Sequence, residues 1–206
     1  FLMIRQPPRS TLSSSSAASD VYKRQINNLI YCTESGALNE SWSDVMGMFV
    51  SIAYNDDLPY WSAEEVMKIA ETPGYEAYYA LRRLDDPSFR SDEYAANDYD
   101  PLHPLDSWGQ PEHMSEKFVA KCWPWNDNGG VHINSGIPNK AAYLVTIDTG
   151  AAKAQQIYYN AMFYLSSNSQ FTDARNAVEL AAIDLYGADS AELTAVQGAF
   201  DSVGIY

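Results

Sequence analysis

Asp127 and His132 stand five residues apart, with Gly129-Gly130 between them. Neither glycine carries a Cβ, so the backbone there can turn tightly. A bend at that point can fold the Asp127 carboxylate back onto the His132 imidazole. A carboxylate that fixes a histidine's tautomer and charge equips a site to stabilise developing negative charge. The same spacing also suits a surface turn with a solvated histidine. Glu40 and Asp44 form a second pair, four residues apart and so one turn apart on a helix face. A carboxylate pushed toward a core is costly unless it is paired or bound to a metal. An exposed acid pair on a polar helix flank would have the same spacing.

Helices must position both pairs. Asn134 and Ser135 are good N-cap residues, and Asn139 to Val145 continues with helical character. Glu34-Ser35-Gly36 reads as punctuation, with a long helix from Ala37. In that helix Leu38, Trp42, Val45, Met46, Phe49 and Ala53 recur at spacings of three and four, making one apolar face. Asn55-Asp56-Asp57-Leu58-Pro59 ends it with turn formers. Ala63 to Ala70 reads as a short helix, Thr72-Pro73-Gly74 as a turn, and Ser88 to Gln110 as an acid-rich loop. Pro111-Glu112-His113-Met114-Ser115 leads to a short helical segment through Lys121. Three helices complete the chain. Ala151–Leu165 buries Ile157, Ala161 and Leu165. Thr172 caps Asp173–Tyr186, and Gly187 follows it. The last begins in a capping box of Asp189 with Glu192 and buries Val196, Phe200 and Val203. The expected fold is mainly α: a compact, bundle-like helical domain with one long irregular segment.

The 206 residues suffice for one domain with a core. A net charge of −14 and a pI near 4.4 argue against nucleic acid and anionic membrane as partners. No apolar run approaches the roughly 20 residues of a membrane span. Phe1-Leu2-Met3-Ile4 is too short for a signal-peptide core. Cys32 and Cys122 would be able to pair in an exported protein and would be free thiols in a cytosolic one. Residues 1–25 differ in character from the rest. They hold Arg5, Arg9, Lys23 and Arg24 against one acid, Asp20, with a Pro-Pro pair and a serine run. They read as disordered, and Ser-Ser-Ala-Ala-Ser-Asp-Val-Tyr-Lys-Arg-Gln resembles translated sequencing-adapter sequence.

The run from Asp127 to Leu144 closely resembles the active-site signature of thermolysin-like zinc metallopeptidases, in the half of the catalytic unit that follows their HExxH helix. The resemblance extends over roughly Ile26 to Tyr206, and Ala199 to Gly204 resembles the family's C-terminus. Glu34 to Asp44 is similar to the family's second zinc motif. That similarity implies that Glu40 is a zinc ligand and that Asp44 hydrogen-bonds a zinc-ligating histidine. The family's other two ligands and its general base belong to HExxH, and none of His103, His113 and His132 begins that motif. The chain is therefore expected to be a C-terminal portion, truncated before that helix, that binds zinc weakly or not at all and is inactive alone. The resemblance further implies that His132 stabilises the oxyanion, oriented by Asp127, and that Tyr31 donates to the same oxygen. Ala80 to Pro87 is similar to the substrate-binding segment. It implies that Arg82 bonds the carbonyl just past the scissile bond and that Leu81 lines the adjacent apolar pocket. On spacing alone, Arg82 would instead pair with Asp85 or Asp86. Structural calcium near Asp56, Asp57, Glu64 and Glu65 is weakened as an expectation, because Ser51 stands where the family has an acid. The implied protein is a secreted, extracellular endopeptidase acting on proteins or peptides, with the N-terminal half of the same catalytic unit as partner. The competing reading is a non-catalytic acidic helical module that binds a partner.

Overall fold

A computed structural model describes residues 28–53, 61–62, 82–88 and 109–206 of the chain, with backbone only at 61–62. Its helices are α1 (Thr33–Ala53), α2 (Asp127–Asn134), α3 (Gly136–Thr149), α4 (Ala151–Ala161), α5 (Phe171–Tyr186) and α6 (Ala191–Ser202). Single 3-10 turns lie at Met114–Glu116, Pro124–Asn126 and Met162–Tyr164. Two-residue strands β1 (Trp61–Ser62) and β2 (Arg82–Arg83) pair antiparallel. The architecture is mainly α, as the sequence periodicity implies. The short helix expected at Ala63–Ala70, the turn at Thr72–Gly74, most of the Ser88–Gln110 loop, the candidate calcium acids and residues 1–25 lie outside the described residues.

The apolar stripe of α1 is the spine of the core. Leu38, Trp42, Val45 and Phe49 are all at most 3% exposed, whereas Ala53 lies at the surface. Trp42 and Phe49 pack on Tyr158 of α4, with ring centroids 5.6 and 6.3 Å apart. Ile157, Ala161 and Leu165 bury as their spacing implies, and so do Val196, Phe200 and Val203.

Several boundaries differ from the sequence reading for identifiable reasons. Helix α1 begins at Thr33, not Ala37, because Glu34 is satisfied from far away in the chain. Its carboxylate accepts from the Phe171 amide at 2.9 Å and from Lys117. Gly36 is thus interior to the helix, and it is there because Val131 crosses at that point. A Cβ on Gly36 would lie 2.4 Å from Val131 Cγ1 and 3.0 Å from the Tyr31 backbone carbon. The cap of α5 is Gln170 in a reciprocal box with Asp173, not Thr172. The cap of α6 is Ser190, whose hydroxyl accepts from Leu193 N at 3.1 Å, not Asp189. Only one 3-10 turn forms between Pro111 and Lys121. Among the described residues, no helix is long and apolar enough to cross a membrane. Cys32 and Cys122 form a disulfide across 90 residues of sequence.

The crossing at Gly36 has a measurable consequence. Gly36→Ala is expected to destabilise the domain by about 1–3 kcal/mol, since overpacking outweighs the gain in helix propensity. Gly47→Ala in the same helix, where an added Cβ meets nothing within 4 Å, is expected to stabilise it by up to about 1 kcal/mol. Urea unfolding of the two variants checks both signs.

Candidate functional site

Four consecutive residues of α2 are left-handed: Asp127 (φ 52°), Asn128 (φ 49°), Gly129 (φ 85°) and Gly130 (φ 86°). Glycine enters this region freely, and Asp and Asn are the non-glycine residues that tolerate it best. The run reverses the chain and turns the Asp127 side chain back over the residues that follow. Its Oδ2 accepts from the amides of His132 at 2.8 Å and Ile133 at 3.1 Å, and its Oδ1 lies 2.5 Å from His132 Nδ1. One carboxylate therefore caps the right-handed part of the helix and orients the imidazole. The sequence points to Asn134 or Ser135 as the cap of the next helix; Ser135 does precede α3, but its side chain makes no capping bond. Asn134 is spent on the Phe118 backbone, exchanging two bonds of 2.9 Å, and the Ser135 hydroxyl donates to the His132 carbonyl.

Tyr31 closes the other side. Its hydroxyl donates to Glu40 Oε1 at 2.5 Å and lies 2.8 Å from His132 Nε2. A phenol has one proton. With that proton on Glu40, the bond to His132 requires Nε2–H as donor. Asp127 requires Nδ1–H likewise, because an ionised carboxylate only accepts. The network thus selects the doubly protonated imidazolium. The same geometry raises the His132 pKa above 6.5, first through the Asp127 hydrogen bond and then through the Glu40 charge, against the opposing effect of burial. The Tyr31 hydroxyl is pushed well above 10 by burial and by the adjacent Glu40.

Arg82 sits behind Glu40. Its Nε and Nη2 donate to the two oxygens of Asp44 at 2.7 and 2.8 Å, and Nη2 is 3.5 Å from Glu40 Oε2. Burial opposes the guanidinium charge, and Asp44 and Glu40 outweigh it, so the pKa moves up. The pairing with Asp85 or Asp86 expected from spacing belongs instead to Arg83, which grips Asp85 at 3.1 and 2.7 Å. Asp44 is buried and also accepts from Asn139 Nδ2 at 2.9 Å. Leu81 lies outside the described residues.

The structure therefore brings Asp127, His132, Tyr31, Glu40, Arg82 and Asp44 into one connected array. Sequence reasoning missed Asn139 and Gln110. Gln110, 5% exposed, donates to the His132 carbonyl and, at 3.0 Å, to Ser135 Oγ. An amide in a loop gives no signal of such a role. Asn139, a polar residue between the apolar Ile137-Pro138 and Ala141-Ala142 of α3, gives a faint one. Among the described residues, no three His, Cys, Asp or Glu side chains are grouped to hold a metal ion.

Comparison with known proteins gives a consistent set of relatives. The family described as the thermolysin metallopeptidase alpha-helical domain matches residues 27–205. Extracellular elastase of Staphylococcus epidermidis is 41% identical over 204 residues, covering 95% of this chain and 34% of that protein. Thermolysin of Bacillus caldolyticus is 37% identical over 189 residues, covering 86% and 30%. The solved precursor of protealysin, a metalloproteinase from Serratia proteamaculans, superposes with a TM-score of 0.75 at 28% identity, covering 96% of this chain and 58% of that one. The chain spans about a third of the length of the curated relatives it matches.

The paired imidazolium has a definite pH signature. The raised folded-state pKa of His132 adds stability that is complete below about pH 6.5 and is lost as pH rises through the folded midpoint. Histidine NMR is expected to place that midpoint above 6.5, and Asp127→Asn to bring it down. A midpoint unmoved by Asp127→Asn would contradict the assignment.

Proposed function

The chain belongs to the thermolysin metallopeptidase family, as its alpha-helical domain, and from that premise we propose that it supplies one wall of a zinc endopeptidase's cleft. The observation that carries this reading is the unbroken sequence of bonds from Asp127 through His132 and Tyr31 to Glu40. It ends on a carboxylate of the kind that binds zinc and sets an imidazolium N–H and a phenol O–H beside it.

In this reading Glu40 is one zinc ligand. Its carboxylate fits in donor chemistry. A catalytic zinc takes three protein ligands, so the others come from the N-terminal half of the catalytic unit. Zinc, when bound, supplies a polarised carbonyl and an activated water. The residues of this chain do the rest. His132 Nε2–H and the Tyr31 hydroxyl are 2.8 Å apart, close enough to converge on one oxygen. As a peptide carbonyl becomes tetrahedral, the His132 Nε2–H turns from the Tyr31 oxygen and the Tyr31 hydroxyl from Glu40, and both donate to the oxygen that gains charge. Asp127 keeps the imidazolium in place and charged throughout, so little reorganisation is needed when charge develops. Arg82 has two N–H groups directed at Asp44 and one toward Glu40. The Nη1 hydrogens, which have no partner among the described residues, bond the substrate carbonyl beyond the scissile bond. Leu81, adjacent in sequence, lines the apolar pocket there. Asp44 orients a zinc-ligating histidine while holding Arg82.

Secretion is part of the proposal. A relative named extracellular elastase and the Cys32–Cys122 disulfide both support an oxidising destination. Protein or peptide substrates follow from the peptidase family.

A fusion of residues 26–206 behind the N-terminal half of a thermolysin-family relative tests the reading. The fusion is expected to bind one zinc and hydrolyse casein, and residues 26–206 alone are expected to do neither. Glu40→Gln should weaken zinc binding by at least about tenfold. His132→Phe should leave zinc affinity unchanged and lower turnover by about 10²–10³-fold. Zinc binding and hydrolysis indifferent to both substitutions would favour the acidic binding module instead.

A further inference from the structure

The Cys32–Cys122 disulfide contributes no side chain to the array, yet each of its ends is next to a part of it in the chain. Cys32 follows Tyr31 directly. Cys122 precedes Trp123, whose carbonyl accepts from the amides of Asn126 and Asn128 at 2.9 and 3.0 Å. Those bonds join it to the left-handed run that aims Asp127 and His132. We propose that this disulfide is a positioning device that holds the Tyr31 hydroxyl between Glu40 and His132. The proposal deepens the role given to Tyr31 above and rests on that reading for its catalytic meaning only.

The argument turns on what else holds Tyr31. Its residue is 40% exposed, and Ile30 beside it is 51% exposed, so packing does little to fix the ring. Residues 28–30 have no regular structure. Leu29 among them is buried in the core, and the Ile30 amide on the Ser167 carbonyl at 2.9 Å and the Ser35 hydroxyl on the Ile30 carbonyl at 2.6 Å tie them further. Both act at Ile30, the residue before Tyr31. Contacts between α1 and α2 reach Tyr31 at its backbone carbon, which would lie 3.0 Å from a Cβ on Gly36, and leave the ring to its hydroxyl bonds. Glu34 binds Lys117. Thr33 lies so close to Gly129 that a Cβ there would stand 2.7 Å from Thr33 Cγ2, and Gly36 meets Val131 in the same way. This seam runs from Thr33 and Gly129 to Gly36 and Val131, the residue before His132, and its contacts are to backbone and aliphatic groups rather than to the Tyr31 hydroxyl. Beyond the Tyr31 hydroxyl's own bonds and the Gly36 crossing, the bond at Cys32 is the covalent link, among the described residues, that joins Tyr31's own segment to the turn carrying His132. Without it, the phenol is left to its two hydroxyl contacts, which compete with water.

A plain staple would act differently. Cross-linking residues 90 apart in sequence stabilises chiefly by restricting the unfolded chain, by up to about 4–5 kcal/mol. It would leave the folded array unchanged when broken. Lower stability on losing the bridge is therefore expected under both views, and the geometry of Tyr31 separates them.

The test is NMR on the chain in two forms, bridged and carrying Cys32→Ala with Cys122→Ala. The readout is the nuclear Overhauser effect between the Tyr31 and His132 rings, whose centroids are 5.9 Å apart in an edge-to-face arrangement. Thr33–Gly129 and Gly36–Val131 effects serve as controls for the seam. Loss of the Tyr31–His132 effect with the seam effects intact is the expected result. Persistence of all three, with only a lower urea midpoint, would overturn the proposal in favour of a staple. Joint loss of all three would overturn it too, since the bridge would then support the whole seam. Should the double variant fail to fold, the bridged chain is reduced in place with dithiothreitol in trimethylamine N-oxide. The reagent's two thiols become a cyclic disulfide as Cys32 and Cys122 take up the hydrogens, and Cys122 is exposed to it. The same three effects decide. None of these outcomes involves zinc or hydrolysis, so failure here leaves the peptidase reading standing.

Discussion

One carboxylate, that of Asp127, organises the candidate site. It receives the amides of His132 and Ile133 and the imidazole Nδ1–H together. It can do so only because four successive residues adopt left-handed backbone and fold the chain over itself. A left-handed conformation costs an ordinary residue roughly 1–2 kcal/mol, and two of the four positions here avoid that cost by being glycine. The other two are Asp and Asn, whose short polar side chains suit it. The turn, the helix start and the charged imidazole are thus consequences of one contact. A bulkier residue at Gly129 or Gly130 would strain the backbone and also collide with Thr33 or Phe118.

A second buried anion, Asp44, plays the matching part on α1. It lies on the polar edge of the stripe that forms the core and is 3% exposed. Burying an uncompensated carboxylate would cost several kcal/mol. Arg82 offsets this with a two-pronged ion pair and Asn139 with a third bond. Such an arrangement adds little net stability over an apolar one. It does fix the guanidinium in one orientation beside Glu40. The core and the site share α1, so the helix that buries Trp42 also sets where Glu40 stands.

Much of this was legible in the chain because it is local or periodic. Leu38, Trp42, Val45 and Phe49 announce a helix face by their spacing. The two glycines between Asp127 and His132 announce a reversal that can join acid and imidazole. What could not be read depends on partners far apart in sequence. Thr33 rather than Ala37 starts α1 because Lys117 and Phe171 satisfy Glu34. Arg82 ignores the nearby Asp85 and Asp86 for Asp44, 38 residues away. Asn134 and Ser135 have the chemistry of caps, but Phe118 and the His132 carbonyl occupy them. Cys32 and Cys122 carry no signal of pairing until the fold brings their Cα atoms to 5.6 Å.

The central claim is that Asp127, His132 and Tyr31 form a preset charge that meets a tetrahedral oxyanion, not a resting peptide. The most direct measurement compares two inhibitors on the fused two-half protein. One is a tetrahedral phosphoryl peptide and the other a planar peptide amide of the same sequence. Replacing His132 by Phe is expected to weaken the tetrahedral ligand by about 10²-fold or more and to leave the planar one nearly unchanged, because the interaction exists only with developed charge. Equal losses for both ligands, or none for either, would contradict the account.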